Sequence, residues 1–380
     1  MSSPPLPRLR DDVAVSTLDT LDPRSRYRVE VDGRHFVIDR STAFLVDELR
    51  RTTNADSVAL ELSRALDQLV TANDIRYAVE QKLPKVLFEK IDEAPKSPLS
   101  WQVELASARS LNSILSFNSV LFRSKSVITM VMIFVALEVL MLPILTEPVR
   151  ALHWTGALTA TVLTLIGVAI HELGHLSACH HFRARHGGFG FGLYWIFPTF
   201  YADVTGTWSL SRMQRAAVDV GGLYFQSIYL SIFAIWALST KDPTIPVTTL
   251  LLSHTLMLYT LNPVLKFDGY WLLSDISGTV NLHQRITETA RKILGRGADY
   301  GHTIRFADIL VLVSFLILAT AFFGHLMWMV ITNASHSFAN VWHATSLMSV
   351  LSSGTLLALT LLLLSVVSLR LLRAMIKVFR

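Results

Sequence analysis

From Thr155 to Ile170 the chain is almost wholly apolar, and the run ends on His171-Glu172-Leu173-Gly174-His175. A stretch of that hydropathy can lie in a bilayer only as a helix, because its backbone polar groups must be satisfied within the segment. Residues four apart on a helix stand one turn above each other. His171 and His175 can therefore reach one zinc ion while the intervening Glu172 faces the water that the ion binds. Ionisable groups at the end of an apolar span are costly and mark a functional site by default.

The whole chain supports a bilayer location. Of its 380 residues 51% are hydrophobic and only 17% are charged, and the mean hydropathy is +0.44, a membrane-protein profile. Six stretches are long and apolar enough to span: 126–146, 155–182, 222–239, 246–264, 305–332 and 346–369. With a cytoplasmic N-terminus, sixteen Lys and Arg flank the inner side, from Arg123 and Lys125 to Arg380, against Arg150 and Lys241 outside. That asymmetry places both termini and the His motif toward the cytoplasm of a multi-pass cell-membrane protein. Met1 to Arg10 have no apolar core, so no cleavable signal peptide is expected and the first span acts as an uncleaved anchor.

A zinc site wants a third protein ligand and one open position. Asn262-Pro263-Val264-Leu265-Lys266-Phe267-Asp268-Gly269 offers Asp268 at the end of another apolar segment, bracketed by Pro263 and Gly269. The helix breakers free local backbone groups and can turn a carboxylate inward. Asp203 is a weaker candidate. Cys179, the only cysteine, excludes an internal disulfide and reads as a packing residue. His180 and His181 read as interfacial, and Gly221-Gly222 as a close helix contact with Gln226 one turn on, able to hydrogen-bond into the site.

Together the two motifs resemble those of the site-2-protease-like intramembrane zinc metallopeptidases, in particular the bacterial branch of peptide zinc metalloproteases found in peptide-modification clusters. The resemblance extends from about residue 27 to 280. It implies His171, His175 and Asp268 as zinc ligands, Glu172 as general base and Asn262 as the residue that holds the substrate backbone.

The expected architecture is mostly α: a polytopic membrane protein of about six transmembrane helices with a short re-entrant β-hairpin, plus a small N-terminal α+β winged-helix-like domain. The hairpin is read from Gly187 to Val204, where aromatic residues and glycines surround Pro198. An edge strand there could bind an extended substrate by main-chain hydrogen bonds. We divide the chain into a soluble part, 1–98, ending in the Pro95–Pro98 linker, and a membrane part, 99–380. In the former, Tyr27–Val31 and Arg34–Ile38 alternate like strands around Asp32-Gly33, and helical patterns follow over 41–51, 57–69 and 74–82. This layout resembles the PqqD-like domains that bind leader peptides of ribosomally made, modified peptides. Acids balance bases and there is no basic helix, which argues against nucleic acid.

The function expected is zinc-dependent peptide-bond hydrolysis in or at the membrane, acting on a ribosomally synthesised precursor. Partners are then a peptide or membrane-protein substrate, the lipid bilayer, and a second copy of the chain or export and modification proteins. A regulatory protease cutting a membrane-bound transcription regulator is one alternative. A non-enzymatic module for peptide export or immunity is the other, and Glu172 speaks against it because binding alone needs no base.

Overall fold

In a computed structural model, residues 4–22, 26–91, 99–145, 153–194, 197–295 and 304–342 are described. The stretch expected to form the sixth span, 346–369, and the linker Pro95–Pro98 lie outside them. The chain falls into two compact units, Met1–Leu258 with Gly278–Val280, and Tyr259–Ser277 with Asn281–Arg380.

The first unit opens with a three-stranded antiparallel sheet, β1 (Ala14–Thr17), β2 (Tyr27–Val31) and β3 (Arg34–Ile38), in the order β1-β2-β3. Asp32 and Gly33 both adopt positive φ, the left-handed pair that closes a two-residue hairpin. Arg10 ties the arm preceding β1 to this turn, its Nη1 donating to Asp32 Oδ2 at 2.6 Å, and the contact holds the Asp32 carboxyl below the usual carboxylate range. Three helices follow: α1 (Arg40–Arg51), α2 (Ala55–Leu66) and α3 (Ala72–Tyr77). Asp39, Asn54 and Thr71 cap their N-termini by accepting backbone N–H bonds that the first turn leaves unpaired. Val29, Val31, Val46, Leu49, Val58 and Ile75 form the core between sheet and helices. The expected hairpin and three helices are present. The additional strand β1 has only four residues and pairs with β2, itself ten residues further on, which its own sequence does not announce.

This region also rests on the helical part of its unit. The buried guanidinium of Arg215 donates through Nη2 to the Asp19 carbonyl at 3.0 Å and through Nη1 to the Leu210 carbonyl at 3.0 Å. Thr20 Oγ1 donates to the Gly278 carbonyl at 2.6 Å.

The sheet in the second half differs from expectation. The hairpin β5 (Phe189–Tyr194) and β6 (Phe197–Ala202) forms, and a further strand that the sequence does not announce, β4 (Trp101–Ala106), pairs along β5, giving the order β4-β5-β6. Gly190 and Gly192 alternate along the central strand because neighbours occupy the space of a side chain. A Cβ on Gly192 would come within 2.7 Å of the Trp101 carbonyl, and one on Gly190 within 2.5 Å of the Tyr201 hydroxyl. This sheet packs on α4 (Ala108–Asn118) and α6 (Trp154–His181) through Leu111, Leu115, Leu176 and Phe189.

Four helices among the described residues are long and apolar enough to cross a membrane: α5 (Ser124–Leu145), α6, α7 (Arg212–Ser239), and the first part, Phe306–His325, of α11 (Phe306–Trp342). The fourth expected span is the 17-residue α8 (Thr244–Thr260), about 25 Å long and so shorter than a typical hydrocarbon core. It ends just ahead of Pro263, whose ring disfavours helical geometry in the residue before it. Ile128, Met132, Val135, Val139 and Leu142 of α5 are exposed, as are Leu158, Val162 and Ile166 of α6. So much contiguous apolar surface calls for lipid rather than water. By contrast, two thirds (67%) of the apolar window of α7 is buried, which makes it the central helix of its unit.

Helices α6 and α7 approach each other closely. A Cβ on Gly174 would overlap the Gly221 carbonyl, and one on Gly221 would stand 3.0 Å from both the Gly174 carbonyl and Ala178 Cβ. In the second unit, α9 (Asp268–Ser277), α10 (Leu282–Ile293) and α11 pack around Tyr270, Leu282, Ile286 and Val311. The buried Arg285 joins α10 to α11 by donating Nη2 to Asp308 Oδ2 at 2.6 Å.

Gly221→Leu is expected to destabilise the detergent-solubilised protein by about 1–3 kcal/mol or more through overpacking. Gly324→Leu, where an added Cβ meets nothing within 4 Å among the described residues, is expected to stay within about 0.5 kcal/mol of wild type. Circular-dichroism melts compare them, and equal midpoints for the two variants would contradict the tight α6–α7 contact.

Candidate metal centre

His171, Glu172 and His175 lie in the second half of α6, and one ligand atom from each falls within 4.8 Å of the others. Both histidines are buried, and Glu172 is half-buried. The imidazoles meet edge to face, with ring centroids 4.8 Å apart. What fixes them is α7. His175 Nδ1 is 2.8 Å from the Val218 carbonyl oxygen. A carbonyl can only accept, so Nδ1 carries the proton and Nε2 keeps its lone pair. His171 Nδ1 is 3.0 Å from Gln226 Oε1, which sets the same tautomer.

The two Nε2 atoms then face each other at 3.1 Å. Zinc–nitrogen bonds of about 2.0–2.1 Å at a tetrahedral angle hold two nitrogens about 3.4 Å apart, so the pair stands close to the bite of a metal chelate. Gly222 makes the space. A Cβ there would lie 2.5 Å from His175 Nε2 and 2.6 Å from His171 Nε2. Donor set, tautomers and a glycine-lined cradle all fit a zinc ion. Histidine ligands held from behind by a backbone carbonyl or side-chain acceptor are the usual second layer of such sites.

Asp268 opens α9 in the second unit, where a carboxylate suits the positive helix N-terminus. Gly269 beside it lies so close to the Leu261 carbonyl that no side chain fits. Asn262, also buried, folds back on its own turn, its Oδ1 accepting from the Val264 N–H at 2.9 Å. His283 Nε2 donates to the Pro263 carbonyl at 3.2 Å, and burial holds this imidazole below its ordinary pKa, in the neutral form. The Asn262–Asp268 turn is thus pinned by local contacts of its own unit.

The lesser candidates have structural occupations. Asp203 accepts through Oδ1 from the Thr205 N–H at 3.0 Å and the Thr205 hydroxyl at 2.6 Å, and so shapes a turn. Cys179 is buried with Ala178, Ala184 and Val218. His181 Nδ1 meets the Ser119 carbonyl at 3.0 Å, and His180 Nε2 the Ser116 hydroxyl at 3.2 Å. The Val218 carbonyl, which sets the His175 tautomer, has no signature in sequence, because every residue carries a carbonyl. On the reverse face of α6, an apolar groove of about 410 Å³ lies among Leu111, Ile114, Leu165, Leu173, Phe189 and Phe200.

The protein named "Putative peptide zinc metalloprotease protein YydH", from Bacillus subtilis (strain 168), is 26% identical to this chain over 121 residues, 32% of this chain and 48% of YydH. The match spans about half the length of that relative. No family model matches the chain, and no solved structure does. The group formed by the buried His171 and His175 and the half-buried Glu172 is consistent with zinc.

The purified chain is expected to hold about one zinc, and His171→Ala or His175→Ala to lose most of it, because each removes one nitrogen ligand. Asp268→Asn should lose part. Metal content measured by plasma emission checks this, and full loading of the double histidine variant would refute the assignment.

Proposed function

We propose that the chain is a zinc metalloprotease that hydrolyses peptide bonds within or at the face of the membrane, with His171, His175 and Asp268 as metal ligands and Glu172 as general base. The observation that carries this reading is the pair of buried imidazoles with Nε2 atoms 3.1 Å apart, each oriented from α7 inside apolar helices. A zinc ion held there supplies a Lewis acid and lowers the pKa of water. Glu172, one residue beyond His171 and only half-buried, takes the proton of the attacking water and passes it to the leaving amine. Asn262, on the turn ahead of Asp268, serves to hold the substrate backbone. An extended substrate suits the site, because a helical one buries the carbonyl under attack in its own hydrogen bonds. The outer strands β4 and β6 flank β5 and present edges to which such a substrate could add.

The substrate we propose is a ribosomally made precursor peptide, recruited by the N-terminal domain, about residues 20–92. In that region β2 is paired on both sides, and β1 and β3 are the outer strands of the sheet among the described residues. Addition of a leader strand to β3 (Arg34–Ile38) offers sequence-tolerant main-chain bonds with pockets for alternate side chains. We place both termini in the cytoplasm, on the flank charges given above.

Glu172→Gln is expected to keep zinc and fold but to lower the cleavage of a quenched-fluorescence peptide by several powers of ten. A Gln variant that cleaves at a near wild-type rate would remove Glu172 from the chemistry. Deletion of the N-terminal domain, about residues 20–92, should slow processing of dilute precursor roughly 10²-fold by loss of effective concentration, while zinc content survives. Undiminished processing after the deletion would leave the region without a role in recruitment.

A further inference from the structure

Gln226 is only 2% exposed, in the middle of the buried helix α7. Its Oε1 faces His171 Nδ1 at 3.0 Å, and its Nε2, beside Gly167 of α6, has no hydrogen-bond partner among the described residues. Folding alone does not account for this choice. A buried amide that leaves its donor unmade destabilises relative to an apolar side chain of the same shape, and an apolar helix interior would take methionine there at no polar cost. What methionine cannot do is accept a proton from an imidazole.

We infer that Gln226 is a positioning residue for the metal: by accepting from Nδ1–H it locks His171 in the tautomer whose Nε2 lone pair points at the ion. The inference rests on the zinc reading proposed above and deepens it. An imidazole without an outer acceptor can rotate or exchange tautomers, and in the other tautomer Nε2 carries hydrogen and no longer ligates. His175 needs no side chain for this, since the Val218 carbonyl does the same from the backbone. At His171 the corresponding task falls to a side chain, one full helical turn and more beyond Gly222. A neutral amide is the acceptor suited to an apolar span. A carboxylate would bring a charge that such a span admits only at high cost, and it would offset part of the positive potential that makes a bound cation a Lewis acid.

The test uses the full-length chain in detergent, stripped of metal, and titrates zinc against a competing chromophoric chelator. Gln226→Met is expected to bind zinc roughly 10- to 100-fold more weakly than wild type, with the melting midpoint of the metal-free protein unchanged or raised. Gln226→Glu, which keeps an acceptor at the same reach, is expected to restore affinity to within a few-fold. Cobalt(II) loaded in place of zinc gives a second readout, since a displaced or lost imidazole changes the position and strength of its visible bands. Wild-type affinity or tighter in Gln226→Met, or a Gln226→Glu variant as weak as the methionine one, overturns the positioning role while leaving the zinc site standing. A wild-type chain that takes up no zinc, or a double His171→Ala, His175→Ala chain that takes up as much as wild type, overturns the zinc reading itself and this inference with it.

Discussion

Everything at the candidate centre depends on how closely α6 approaches α7. Two helices normally pack with axes 8–10 Å apart, a distance set by the side chains between them. Here Gly174 meets Gly221 backbone to backbone, and Gly222 lies under both imidazoles. That approach does two things at once. It brings the Val218 carbonyl and the Gln226 amide within hydrogen-bonding reach of the outer ring nitrogens, and it opens the volume in which the inner nitrogens converge. In a bilayer there is little hydrophobic gain from bringing helices together, so packing and polar contacts of this kind have to supply the association. The same glycines therefore hold the helix pair and shape the site, and neither role can be changed without the other.

Several hydroxyls of the apolar helices are satisfied more cheaply. Thr159, Thr161 and Thr164 on α6, Ser231 and Ser239 on α7, and Thr248, Thr249 and Thr255 on α8 each donate their hydroxyl to the carbonyl one turn earlier. A hydroxyl bonded back to its own helix needs no partner elsewhere and can face any neighbour. Glu138 of α5 lies 3.2 Å from His254 of α8, pairing the ionisable groups of those two helices.

How much of this was legible in the sequence follows from the range of the signals. The His-Glu-x-x-His spacing and the apolar run before it are local, so the helix, the shared face of the two histidines and the pairing of Gly221-Gly222 with Gln226 could be read directly. The hairpin at Asp32-Gly33 was equally local, since two residues of positive φ close it. Strand β4 was not read, although Trp101, Val103 and Leu105 alternate with polar residues, because a six-residue strand gains its meaning from β5, some ninety residues away. The shortening of α8 was also missed: apolar composition continues to Leu261, but the restriction that Pro263 places on the preceding residue ends the helix earlier. The Val218 carbonyl was beyond any reading of side chains.

The histidine pair also differs in kind from the other buried polar contacts. Between Arg285 and Asp308, a donor meets an acceptor and the contact is complete. His175 with Val218 is of the same sort. At the inner face of the pair, two Nε2 lone pairs point at one another across 3.1 Å, both imidazoles having spent their protons on the outer acceptors. Two acceptors at that distance repel unless a positive charge lies between them, and only a proton or a metal ion is small enough to do so. The arrangement costs the fold something that a Leu or Met at either position would avoid. Helix α6 bears that cost, and the zinc ion proposed for the site would account for it.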